Sequence, residues 1–158
     1  MDINEIYKKE KIINSYFKEK YNYDSDEIFN KQLLELHCEL SEFAYETKCF
    51  KYWKNEKQSS PEITIPEFAD CLMITLCFCD LANIDDLIIK ENDNKNMVEL
   101  FLETHRLVST LSRNLEKETL FKILSNLLAI SKLLNYTDKQ LYDFCINKMD
   151  KTLEMISK

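Results

Sequence analysis

Glu39 and Glu42 stand three residues apart, and so do Glu67 and Asp70, in two stretches of helical periodicity. Three residues along an α-helix turn through about 300°, so each pair shares one face, one turn apart. The first pair belongs to a row, Glu35, Glu39, Glu42 and Glu46, at intervals of four, three and four. Like charges at these intervals destabilise an isolated helix by about 0.2–0.5 kcal/mol each. A bound divalent cation reverses that sign. Hard ions such as Mg²⁺ take oxygen ligands, and Glu39, Glu42, Glu67 and Asp70 would suit one or two of them facing substrate phosphates. The chemistry indicated is Mg²⁺-dependent hydrolysis of a phosphate compound. Glu39 or Glu42 would help take the proton from water, and Glu46 would add charge or position the water. The plainer alternative is a solvated acidic face. Two pairs on consecutive helices, both beside apolar stripes, favour metal.

The elements that must carry these residues are helices. Glycine is absent from all 158 residues, and Pro61 and Pro66 are the two prolines. Tight turns, bulges and phosphate-cradling loops lean on glycine, so its absence argues against Rossmann and P-loop chemistry. The pattern predicts an all-α bundle of about six helices forming a single domain over 1–158. The helices are expected near 3–20, 26–50, 65–83, 95–113, 116–134 and 138–157. Asp24 or Ser25 is the expected N-cap of the second. Phe29, Leu33, Leu36, Leu40 and Phe43 form its apolar stripe beside the acidic row. The third is apolar nearly all round, which marks it as the centre of the bundle, with Glu67 and Asp70 at its head. Thr64 and Glu67 read as a capping box with Pro66 in the first turn, after a polar loop over 54–64.

Charge and composition narrow the partners. The net charge of −7 disfavours general nucleic-acid binding, although an acidic nucleotide enzyme is possible when metal supplies the positive charge. The six cysteines form no C-x-x-C and mostly lie among apolar neighbours, as expected for reduced thiols in a cytoplasmic protein. The charged N-terminal stretch is not that of a signal peptide. The most apolar window, 71–82, is too short to span a bilayer.

Glu39-x-x-Glu42, twenty-four residues, then Glu67-x-x-Asp70 resembles the spacing in the all-α nucleoside triphosphate pyrophosphohydrolase (MazG-like) superfamily. The run from Leu34 through Glu39-Leu-Ser-Glu42 to Cys49-Phe-Lys-Tyr-Trp53-Lys54, with Ser60-Pro-Glu62 before Glu67, narrows the likeness. It resembles the Firmicutes and phage branch of the dimeric dUTPases. That resemblance, specific over about 34–74, implies hydrolysis of dUTP to dUMP and pyrophosphate with Mg²⁺ by a homodimer. It implies a uracil pocket with Glu10 and Asn14 on the first helix, where the family carries Gln and then Asn or Asp. Trp53 would wall the pocket, and Lys54, Lys148 and Lys151 would meet the phosphates. Met73 stands where the family often has His.

Each of these has an ordinary alternative. Trp53 could plug the bundle end, Lys54 could be a solvated loop lysine, and Lys148 and Lys151 could simply answer a helix dipole. His37 and His105 form no E-x-x-H with the acidic pairs and are left out of the site. Glu10 in place of Gln keeps a dCTP-directed or MazG-like pyrophosphatase open, since a carboxylate accepts from a cytosine amino group. A non-catalytic helical interaction protein is the remaining rival.

Overall fold

The computed structural model describes residues 1–158 as six α-helices: α1 (Ile3–Tyr21), α2 (Asp26–Thr47), α3 (Pro61–Leu81), α4 (Met97–Thr110), α5 (Lys117–Leu133) and α6 (Asp138–Ile156). There is no strand. The starts are fixed by side chains that accept from orphan backbone N–H groups. Asp2 caps α1, Ser25 caps α2, and Asn96 caps α4. Thr137 and Gln140 form a reciprocal capping box at α6.

The glycine-free chain still makes left-handed turns. Asn22, Lys48, Asn83 and Asn135 have φ between 50° and 62°. Asparagine tolerates that region better than other side chains, which explains three of the four. Lys48 ends α2 at Thr47, three residues before the boundary expected from the sequence.

The start of α3 also differs from expectation. It begins at Pro61, after Ser60, because proline at the first helical position lacks only an N–H that would be orphaned anyway. The expected Thr64–Glu67 capping box therefore does not form. Thr64 lies a turn inside the helix, fully buried, where its hydroxyl donates to Ser60 O and meets the Tyr136 hydroxyl. Pro66 falls in the helix interior rather than the first turn.

A single cluster of 32 buried residues forms the core. Helix α3 runs through its middle against α2, α5, α1 and α6, while α4 packs on α2 and α5. Phe43 of α2 ties the layers together, edge-on to Phe68 of α3 at 6.1 Å and to Phe101 of α4 at 5.3 Å. Burying such an aromatic contributes roughly 1.5–3 kcal/mol. The non-helical stretch 84–96 is strapped down from α1. Tyr7 donates to Ile84 O at 2.7 Å, and the Asn4 amide exchanges two hydrogen bonds with the Leu87 backbone. No helix is long and apolar enough to cross a membrane.

Candidate metal and nucleotide site

The core face of α2 presents Leu36, Leu40 and Phe43, all fully buried. The acidic row runs along its flank, and the edge of α3 facing that flank carries Glu67 and Asp70. Glu39, Glu42 and Glu67 come together: one carboxylate oxygen from each lies within 4.8 Å of the others. Burial pushes the Glu39 carboxyl up to about 7, and the charges of Asp70, Glu42, Glu67 and Glu35 add to the effect. Glu67 is raised by burial and then by Glu42, Asp70 and Glu46, with Lys148 opposing. Three crowded carboxylate oxygens suit a hard divalent cation, which would replace repulsion by coordination.

The other two acidic candidates are engaged elsewhere. Asp70 lies outside the three-carboxylate set and is ion-paired with Lys148 of α6. Glu46 faces the loop after α2: it accepts from the Ser59 hydroxyl, its carbonyl accepts from Ser59 N at 2.9 Å, and Lys48 Nζ is 3.6 Å away.

Beyond Glu35, α1, α2 and α3 line an open cavity of about 190 Å³. Glu10 and Asn14 line it together with Ile13, Gln32, Glu35, Met73 and Cys77. Burial pushes the Glu10 carboxyl up to about 8, with Asp80 adding and Lys148 opposing. At neutral pH it is therefore largely a carboxylic acid with an O–H to donate. The Asn14 amide gives one N–H to Asp80 at 3.4 Å, and Lys18 holds Asp80 at 2.7 Å. That leaves Asn14 one further N–H and its Oδ1. A larger hollow of about 380 Å³ beside Ile88 and Phe121 contains none of these groups.

Trp53 is not brought to that cavity. It is 62% exposed, in edge contact with Tyr52 at 5.1 Å, on the loop beyond Glu46. Glu35 and Glu46 are separated by about 16 Å along α2, at 1.5 Å per residue. Lys54 shares that loop and reaches Glu56 at 3.5 Å. Lys151 is exposed and makes no ion pair, whereas Lys148 lies between the Glu10 cavity and the acidic edge of α3.

Two features were not anticipated. Gln32 is buried in the cavity wall, and its place three residues after Phe29 and four before Leu36, within the apolar stripe, was the available signal. His37 and His105 meet across α2 and α4, with Nδ1 atoms 2.8 Å apart and parallel rings, a pairing over 68 residues that no local pattern announces. All six cysteines are free. Cys71, Cys77, Cys79 and Cys145 are buried with their thiols raised, whereas Cys38 is exposed.

No curated protein and no solved structure matches the chain. The family model described as dUTPase matches residues 2–154.

Proposed function

The chain belongs to the dUTPase family and is a dUTP diphosphatase, and we propose that it works with Mg²⁺, held by Glu39, Glu42 and Glu67. The observation that carries this reading is the convergence of those three carboxylates, from two helices, within 4.8 Å. Bound there, Mg²⁺ would polarise water and offset the charge developing on pyrophosphate. Glu39 or Glu42, through a carboxylate oxygen not on the metal, would take the proton that water loses. Asp70 joins the ligands when Lys148 turns to a phosphate. Glu46, tied to Ser59 and Lys48, positions the loop that carries Trp53 and Lys54, and Lys151 lies one turn beyond Lys148 for the outermost phosphate.

The cavity beside Glu35 receives the base, with Glu10 and Asn14 at its polar edge. In its protonated form Glu10 regains the donor that glutamine has, so it can give an O–H to a uracil carbonyl. The dCTP-directed alternative would have a Glu10 carboxyl oxygen accept from the cytosine amino group. We place a homodimer contact on the outer face of α2 and α4, where Leu34, Tyr45, Val98 and Leu102 are exposed. The net charge of −7 and the free cysteines support a cytoplasmic enzyme of free nucleotides rather than of nucleic acid or membranes.

Pyrophosphate release from dUTP, dCTP, dTTP and UTP, with Mg²⁺ and with chelator, tests the reading. Turnover of dUTP, lost with chelator and reduced at least about a thousandfold in Glu42→Gln at unchanged helicity, is expected. Near wild-type turnover by Glu42→Gln would sink the metal assignment.

A further inference from the structure

Gln32 Oε1 is the single buried side-chain oxygen or nitrogen that has no hydrogen-bond partner. The residue is 8% exposed, and its amide nitrogen points at Cys77 Sγ, 3.7 Å away, a weak acceptor. Leaving a buried acceptor unpaired is destabilising, and native proteins keep few such groups. Its neighbours along the core stripe, Phe29 and Leu36, are hydrocarbon, and Leu or Met would fill the position without that penalty. Gln32 also lines the cavity that holds Glu10 and Asn14. Three buried polar side chains from two helices thus converge on one small space, whose wall also carries Ile13, Met73 and Cys77, with Glu35 and Tyr23 at its margin.

We propose that Gln32 is a base-specificity residue, whose Oε1 accepts the imide N3–H of a uracil bound in this cavity. The inference rests on the dUTP reading and deepens it. Uracil presents carbonyl, N–H, carbonyl along its pairing edge. Asn14 and the Glu10 O–H have donors for the carbonyls, and Gln32 supplies the one acceptor the pattern needs. The carboxamide nitrogen is turned to Cys77 Sγ, with the Tyr23 side chain beside it, which leaves Oε1 as the atom offered to the cavity. Cytosine carries a lone pair at ring N3, which would face the Gln32 oxygen lone pair to lone pair. Thymine has the same edge as uracil, so Gln32 does not separate those two.

The test compares dUTP, dCTP and N3-methyl-dUTP, which has both carbonyls but no N3–H, on the wild-type enzyme and on Gln32→Met. Gln32→Met should lower kcat/KM for dUTP about tenfold, chiefly through KM, the equivalent of one neutral hydrogen bond, and lower the dUTP-to-dCTP preference about tenfold. The loss on N3-methylation should be about tenfold smaller in Gln32→Met than in the wild-type enzyme. Equal losses on N3-methylation in the two enzymes, or a Gln32→Met enzyme with unchanged KM and preference, overturn the proposal. So does a wild-type enzyme that accepts N3-methyl-dUTP as well as dUTP, a measurement that does not depend on how the variant folds. These failures leave dUTP turnover intact. A wild-type protein with no dUTP turnover would overturn the functional reading and this inference together.

Discussion

Lys148 of α6 is ion-paired to Asp70 of α3, so one of the four acidic positions that the sequence assigns to metal already carries a cation of the chain's own. Both side chains are about one-third exposed, and such a pair contributes at most about 1 kcal/mol. Lys148→Met should free Asp70 and tighten Mg²⁺ binding by up to about fivefold, the equivalent of that energy. The KM for dUTP should rise in the same variant. Calorimetric titration of Mg²⁺ and steady-state kinetics would show the opposed shifts; constants that move together would refute the exchange of Lys148 from carboxylate to phosphate.

The raised carboxyls fix the sign of a pH dependence. Glu39 and Glu10 rise from about 4.5 to about 7 and about 8 on folding. The folded chain therefore holds protons that the unfolded chain has released, and stability without metal is fully present near pH 4.5 and declines as pH rises towards 8. Urea midpoints in chelator should drop between pH 5 and 8. Saturating Mg²⁺ should abolish the part due to Glu39, and Glu10→Gln should remove the part due to Glu10. A midpoint that climbs with pH in chelator would contradict both assignments.

Trp53 is the only tryptophan, and its exposure makes it a reporter. If its loop folds onto the bound nucleotide, emission should shift to the blue when dUMP and Mg²⁺ are added together, and Trp53→Ala should raise KM several-fold. Emission that ignores saturating nucleotide would leave Trp53 outside the site.

Leu34 and Leu102 should be buried between two copies. Leu34→Glu combined with Leu102→Glu should give a monomer in sedimentation equilibrium where the parent chain gives a dimer. A monomeric parent would refute the placement.

The parts of this molecule written in short-range pattern were legible. The stripe from Phe29 to Phe43 placed α2, Ser25 was among the expected caps, and the apolar surround of 68–81 put α3 at the centre. The carboxylate spacing pointed to Glu39, Glu42, Glu67 and Asp70 as neighbours, and the first three lie within 4.8 Å of one another. What failed was local competition and distance. Ser60-Pro61 and Thr64-Pro66 both look like helix starts, and the earlier one forms because Thr64 is drawn into the core beside Tyr136. Lys48 adopts a left-handed turn that its side chain does not advertise. The pairing of Lys148 with Asp70 spans 78 residues, and Gln32 was hidden by its resemblance to any polar residue on a long helix.

The lack of glycine has a mechanical consequence. No backbone joint in this chain has the extra freedom of glycine, and the loop that carries Trp53 is pinned at Glu46 by Ser59 and braced inside by Lys51 and Glu56 at 2.7 Å. Movement of that loop is therefore governed by latches of side chains rather than by a soft hinge. Salt and pH, which loosen such latches, become controls on how fast the loop can swing.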